Sequence, residues 1–324
     1  MQRDKLVVYH NHCQDGFFSA HLFWKMFGDS AIYKPVLHRP IIDVNPIQAL
    51  ELLLKDSGIE ICDLINYDLY VVDFCFPVEH IEIYKNIFKS ILTLDHHESA
   101  FLDYKDKYPY TKTVEDWAIF QISDTCKIII SQHESAVVLA YKYFYPNMTI
   151  PWYLELISDN DLMKNSLPNT EIFYHGVTLY KPYKFECIEK LIQNDFKDIM
   201  KLGSLVKRNR IGIIEEIITS QLTEITCEEQ LSNTEYLGVL INSELTNASD
   251  LGTYILNVIK KYDFIIIYNI RKDDRVHCSL RSNDKFNSLL IAEHFGGGGH
   301  RLSGGCSMSI DQLTKIIEDK KLII

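Results

Sequence analysis

The chain has 324 residues, 47% hydrophobic, 24% charged and 12% aromatic, which excludes disordered, collagen-like and small disulfide-stapled proteins and leaves material for two compact domains. Asp and Glu number 44 against 33 Lys and Arg, a net charge of −11. That balance excludes a protein that coats nucleic acid through a broad basic surface, but not one with a local pocket for a few phosphates. No apolar run approaches the roughly 18 residues of a membrane span, and the opening MQRDKLVVYHNHCQD lacks the apolar stretch of a secretory leader, so a cytoplasmic protein with no membrane partner is expected. The eight cysteines, at positions 13, 62, 75, 126, 187, 227, 278 and 306, form no CxxC pair and read mostly as reduced, buried small side chains.

The first third alternates β-rich runs with helical periods. Strands are expected at Lys5–Tyr9, Tyr70–Phe74 and Ile91–Leu94, and helices over Phe17–Phe27 and Val78–Lys89. The pattern continues with CKIIIS from Cys126, a helix over Glu134–Tyr143 and another over Trp152–Ile157 that runs into SDND. This alternation implies a parallel sheet wrapped by helices, in which ligands bind beyond the carboxyl ends of the strands. Residues 186–231 are largely helical in period, carry the basic cluster Lys207, Arg208 and Arg210, and read as a connection. A fresh series follows: strands at Tyr236–Asn242, Phe264–Ile270 and Val276–Ser282, helices from Ser249 and over Asn287–Phe295, then GGGGHRLSGG. The expected organisation is α/β throughout, with a parallel-sheet domain over 1–185, the connection, and a smaller α/β domain over 232–324.

Polar residues just after apolar runs here are acidic and histidine-rich. Leu94-Asp95-His96-His97-Glu98-Ser99 follows a strand; Asp73 closes VVDF, Asp15 lies in HNHCQDGFFSA, and Asp159 with Asp161 follows an apolar helix in ISDNDL. Taken singly, each carboxylate is more often a helix cap or a solvated turn, and Asp-His-His a polar turn. Converging from one α/β domain, they compose an oxygen-rich site with a little imidazole, which suits one or two Mg²⁺ or Mn²⁺ ions and phosphoryl chemistry. The run Gly296–Gly299 before His300 suits close approach of backbone N–H groups to a phosphate, with Arg281 as a bidentate companion. A flexible loop and a surface salt bridge are the plainer readings of those two features.

The ordered set HNHCQDGFFSA, VVDFCFP, LDHHES, SDNDL, SLRS and GGGGHRLSGG resembles the DHH/DHHA1 phosphoesterase superfamily over nearly the whole chain. That superfamily includes RecJ-type exonucleases, nanoRNases, cyclic-dinucleotide phosphodiesterases and, with a different second domain, family II pyrophosphatases and exopolyphosphatases. The resemblance implies a DHH catalytic domain followed by a DHHA1 substrate-binding domain with a cleft between them. It implies Asp15, Asp73, His96 and Asp159 as metal ligands for Mn²⁺ or Mg²⁺, with His97 near the scissile phosphate and Asp95 orienting the histidines. Arg281, Gly297, Gly298, Gly299 and His300 would bind the substrate's phosphates. Better-known branches carry a metal-binding aspartate where this chain has Cys13, with His10 and His12 nearby. A thiolate is a soft ligand and a poor match for Mg²⁺, so one metal site is rebuilt from His10 or His12, weakened or absent.

The function so implied is a metal-dependent phosphodiesterase acting on short oligonucleotides or linear or cyclic dinucleotides. Two alternatives stand beside it, a pyrophosphate or polyphosphate hydrolase and a catalytically degenerate nucleotide-binding module. Phe17, Phe18 and Phe74 could stack a base but read as core. The oligomeric state stays open, a homodimer included.

Overall fold

The computed structural model describes residues 3–37, 41, 43–113, 115–162, 164–230, 234–244 and 248–324. The chain divides into two compact units, Met1–Lys207 and Arg208–Ile324. The first unit runs β1 (Lys5–His10), α1 (Gln14–Phe27), β2 (Ala31–Val36), α2 (Pro46–Leu54), β3 (Asp68–Val72), α3 (Val78–Tyr84), β4 (Ser90–Asp95), α4 (Glu98–Lys105), β5 (Thr111–Lys112), β6 (Ala118–Ser123), β7 (Cys126–Ile130), α5 (Ala136–Phe144), α6 (Trp152–Asp161), α7 (Thr170–Thr178) and α8 (Phe185–Gln193). The long α9 (Lys197–Gln221) carries the division between the units.

The first sheet has the order β2-β1-β3-β4-β7-β6-β5. Its first five strands are parallel, and β6 and β5 add an antiparallel edge. Both faces are covered, as the alternation of β1 shows: Leu6 and Val8 pack into one core with Leu69, Val71 and Phe74, while Val7 and Tyr9 pack into the other with Phe17, Phe18 and Phe23. Strands buried on two faces read as continuous apolar runs, which is why KLVVY and CKIII stand out in the sequence. Phe17, Phe18 and Phe74 are all buried in these cores. β3 ends at Val72, so Asp73 lies beyond the strand rather than within it. The helix expected over Trp152–Ile157 continues to Asp161 and takes SDND with it.

The second unit continues with β8 (Leu222–Glu229), β9 (Thr234–Asn242), α10 (Ala248–Thr253), β10 (Phe264–Ile270), β11 (Val276–Ser282), α11 (Ser288–His294), β12 (Gly298–His300), β13 (Ser303–Met308), α12 (Ile310–Asp319) and β14 (Lys321–Ile323). Its sheet has the order β12-β13-β11-β10-β9-β8-β14, with β9/β10 and β8/β14 parallel and the other pairs antiparallel. Residues 222–229, expected in the helical connection, form the strand that pairs with β9. Phe264, Leu280, Phe286 and Ile291 centre the core on one face of this sheet, and Val239, Ile241, Ile265 and Ile267 on the other. Among the described residues no helix is long and apolar enough to cross a membrane.

Two glycines of α9 make a contrasting pair. A Cβ on Gly203 would overlap the Ile172 carbonyl of α7, whereas a Cβ on Gly212 would meet nothing within 4 Å. Gly203→Ala should therefore destabilise the protein by about 1–3 kcal/mol. Gly212→Ala should stabilise it by about 0.5–1 kcal/mol, because alanine loses less backbone entropy in a helix. Calorimetric melting of the two variants checks both signs.

Candidate metal centre

Both neighbours of β1 are parallel to it, β2 on one side and β3 on the other, so the direction of winding reverses between β1 and β3. The carboxyl ends of these strands are the place where an open α/β sheet leaves a crevice. Four short segments meet there. His10 ends β1, Asp15 lies in the first turn of α1, Asp73 follows β3, and Asp95-His96-His97 closes β4. Gly16 permits the approach of α1 to β3: a Cβ there would lie 2.5 Å from the His10 carbonyl oxygen and 2.9 Å from Asp73 Oδ2. Asp73 holds a left-handed backbone with φ +63°, a strained state for a non-glycine residue, which persists because its surroundings are over-determined.

The side chains converge. His96 Nε2 is 3.2 Å from Asp73 Oδ1, 3.1 Å from Asp161 Oδ2 and 3.8 Å from Asp15 Oδ2. On the other side of Asp73, His10 Nδ1 is 3.4 Å from Oδ2. Asp95 is fully buried, and its Oδ1 accepts the His96 backbone N–H at 2.8 Å and lies 2.7 Å from His97 Nδ1. Asp15 is anchored from outside the cluster: Oδ1 accepts Ser135 Oγ–H at 2.7 Å and Val137 N–H at 3.0 Å, and Oδ2 accepts Ala136 N–H at 2.7 Å. It thereby caps the amino end of α5, whose own Ser135 supplies no side-chain cap. Of the two readings of Asp15, helix cap and ligand, the first is realised while Oδ2 still faces His96.

The charges are poorly balanced without a cation. Burial, together with the Asp73 and Asp161 carboxylates, pushes Asp15 well above the usual carboxylate range. Burial also works against the charge of Asp73, but the imidazoles of His10 and His96 outweigh it and hold Asp73 well below that range. His96 follows the same logic with the opposite sign: burial disfavours its charge, yet Asp161, Asp73 and Asp15 push it up to about 11. Asp95 raises His97 through its hydrogen bond, against burial. One imidazole thus stands among three carboxyl groups, and the buried Asp73 Oδ2 is faced only by the His10 imidazole, 3.4 Å away, among the described residues. Asp15, Asp73, His96 and Asp161 offer donor atoms all within 4.8 Å of one another, as do Asp73, Asp95, His96 and His97. The residues fit a divalent cation, which would offset the clustered carboxyl groups.

Asp159, expected as the last carboxylate ligand, is not brought into this cluster. Its Oδ1 accepts Ser166 N–H and Oγ–H at 3.0 and 2.7 Å, and its Oδ2 accepts Leu167 N–H and Thr170 Oγ–H at 3.0 and 2.5 Å. Burial opposes its charge, but these bonds hold it down at about 2. Residues two apart on a helix lie about 200° apart around its axis, so only one of the two aspartates can face His96, and Asp161 does. The continuation of the helix through SDND is the signal that separates the two roles. His12 is exposed and joins none of the clusters, its carbonyl accepting Lys181 Nζ–H at 3.2 Å. Cys13 donates to Asp161 Oδ1 at 3.6 Å, and burial with the surrounding carboxylates pushes its thiol up.

In the second unit, Arg281 lies on β11 and donates through Nη1 to Ser279 Oγ at 3.0 Å and the Leu280 carbonyl at 2.7 Å. The glycine run is divided. Gly296, with φ +69°, donates N–H to Glu293, and Gly297 donates to Ala292 at 2.7 Å. These two bonds terminate α11 in the pattern of a left-handed helix cap, so two N–H groups of the expected phosphate cradle are already used. Gly298, Gly299 and His300 form the edge strand β12 against β13. The His300 side chain lies outside the described part of the structure.

Residues 234–323 match the DHHA1 domain family, so the second unit carries a DHHA1 domain. Over 318 residues the chain is 26% identical to the uncharacterized protein R106 of Acanthamoeba polyphaga mimivirus, covering 94% of this chain and 67% of that protein. Among solved structures, a pGpG-specific phosphodiesterase, PggH of Vibrio cholerae, matches with a TM-score of 0.48 and 12% identity over 98% of this chain and 97% of its own. RecJ of Thermus thermophilus in complex with Mn²⁺ matches with a TM-score of 0.46 and 10% identity; this chain is covered to 99% but spans only 54% of the RecJ chain.

The raised His96 predicts how a cation binds. In chelator-treated protein the His96 pair contributes stability fully below the unfolded imidazole value near 6.5, and that contribution is lost as pH climbs towards about 11. A cation needs the neutral imidazole, so Mn²⁺ binding near pH 7.5 should release a proton and tighten as pH rises. Titration calorimetry in buffers of different ionisation enthalpy checks this. A heat that is the same in every buffer would contradict it.

Proposed function

We propose that this protein is a divalent-cation-dependent phosphodiesterase that hydrolyses short oligonucleotides or linear or cyclic dinucleotides. The observation that carries the reading is the convergence of Asp15, Asp73, His96 and Asp161 at the carboxyl ends of β1, β3 and β4, with His97 beside them and tied to Asp95. A bound cation would supply Lewis-acid polarisation of a phosphoryl oxygen. The chain's own residues do the rest. Asp73 and His96 position the centre, Asp161 completes it, and Asp15 supplies charge from a carboxylate locked by the amino end of α5. Asp95 accepts from His97 Nδ1–H and leaves Nε2 as the atom that delivers a proton to the leaving oxygen. Arg281, with the glycine edge strand of the DHHA1 domain, is the proposed grip on the substrate's further phosphates.

A nucleotide substrate is favoured over pyrophosphate or polyphosphate by the DHHA1 domain itself, since the resemblance assigns those phosphoanhydride hydrolases a different second domain. A pocket of this kind grips a few phosphates and needs no broad basic surface, in keeping with the −11 net charge.

Release of mononucleotide from a 5′-phosphorylated dinucleotide with Mn²⁺ or Mg²⁺ tests the proposal. Asp73→Asn should abolish turnover, and His97→Ala should lower kcat by about 10²–10⁴. Unchanged rates in both would rule out this site. Wild-type protein that binds the dinucleotide but never turns it over would instead make it a binding module.

The two aspartates of SDND should separate in the same assay. Asp161→Asn should lose Mn²⁺ affinity and turnover. Asp159→Asn should keep both near wild type while losing about 1–3 kcal/mol of stability, because it removes a charged acceptor of four hydrogen bonds.

A further inference from the structure

We infer that Cys278 and Cys306 are a reversible dithiol: a small-molecule disulfide that enters the cavity at the end of α11 oxidises them to a cross-strand bridge, which clamps β11 to β13. The pair lies wholly in the second unit and is independent of any hydrolysis at the metal centre. Cys278 and Cys306 stand directly opposite each other in the antiparallel pair β11/β13. Both side chains enter the same face of the sheet, in the core shared with Leu280, Ile291 and Met308. Residues so opposed have Cα atoms about 4.5–5.5 Å apart, inside the range of about 4.4–6.8 Å that a disulfide spans. Ser282 N–H donates to the Leu302 carbonyl at 3.0 Å, and bonded pairs recur at every second residue, so Cys278 and Cys306 form a bonded pair at the wide end of that spacing. A bridge closed there carries strain and is readily reduced, which suits a reversible device.

The thiols can be reached. Cys278 is 4% and Cys306 8% exposed, yet both line a cavity of about 420 Å³ together with Arg275, His277, Gly296 and Gly297. A Cβ on Gly297 would lie 2.7 Å from the Cys306 Cβ, so only glycine lets the chain pass this close to Cys306. Arg275 gives the cavity a cation, which favours an oxidant that bears carboxylates, such as oxidised glutathione.

The two sulfurs divide the work. The Cys278 S–H donates to the Cys306 sulfur, which holds Cys306 below the ordinary thiol value against burial and, with burial, pushes Cys278 up. Cys306, having lost its proton to solvent, attacks one sulfur of the small disulfide R–S–S–R; that S–S bond breaks, a Cys306–S–R bond forms and one RS⁻ leaves. Cys278 then gives its proton to solvent, and its sulfur attacks the Cys306 sulfur and expels the second RS⁻. In all, two thiols give up two protons and two electrons, and R–S–S–R takes up both to become two R–SH. The bridge fastens β11 to β13, the strand against which Gly298–His300 are paired.

Peptide mapping by mass spectrometry of full-length protein incubated with oxidised glutathione reads the site without any assay of hydrolysis. Wild type should yield a direct Cys278–Cys306 link free of glutathione, and excess reduced glutathione should open it again. The exposed Cys62 and Cys187 should carry glutathione singly and serve as controls that the oxidant acted. Cys278→Ser should stop after the first exchange, with one glutathione on Cys306, and Cys306→Ser should leave Cys278 unmodified. Hydrogen exchange at the amides of β13 should slow by about tenfold once the bridge closes. Wild type in which Cys278 and Cys306 stay as thiols, or carry one glutathione each, overturns the inference; a bridge that leaves exchange in β13 unchanged overturns its role as a clamp. Should either variant not fold, the wild-type map decides alone.

Discussion

The buried carboxylate of Asp73 is the constraint on which the rest of this site depends. It lies just past the end of β3, where the sheet's winding reverses, and every histidine of the cluster except His97 touches it directly. A buried carboxylate is costly in isolation. Its surroundings are arranged to compensate it from two sides, by His96 on Oδ1 and His10 on Oδ2. The left-handed backbone at Asp73 and the missing side chain at Gly16 are both conditions of that arrangement.

Around that centre the remaining polar groups are fixed by hydrogen bonds, Asp15 from outside the cluster and the others within it. Asp15 is locked by three donors at the start of α5, Asp95 by the backbone that follows it, and His97 by Asp95. Anchors of this kind fix geometry before a ligand arrives, which is the condition for electrostatic work on a developing charge. The excess of carboxylate over imidazole has a clear use only if a cation shares the space.

The parallel part of the first sheet was legible because strands buried on both faces form unbroken apolar runs, as KLVVY and CKIII do. The second unit's strand Phe264–Ile270 coincides with the expected one for the same reason, and Val276–Ser282 coincides because its buried and half-buried residues alternate. β2, with Lys34 and Pro35, and the two-residue β5 carried no such signal, and β8 was hidden by the amphipathic period that runs into it from α9. Within the site, Asp73 and the Asp95-His96-His97 triplet stood out because they follow apolar strands. The choice between Asp159 and Asp161 could not be made from the motif, because it depends on the phase of a helix and on partners seven to eleven residues downstream. The glycine run showed the opposite failure: four identical residues divide between a helix cap and an edge strand, and only the backbone reveals which does which.

Anomalous diffraction from crystals grown with Mn²⁺ tests the central claim most directly. A peak is expected within bonding distance of Asp73, His96 and Asp161, with Asp159 still turned towards Ser166 and Thr170. A peak on Asp159, or full Mn²⁺ loading with no peak near Asp73, would contradict it.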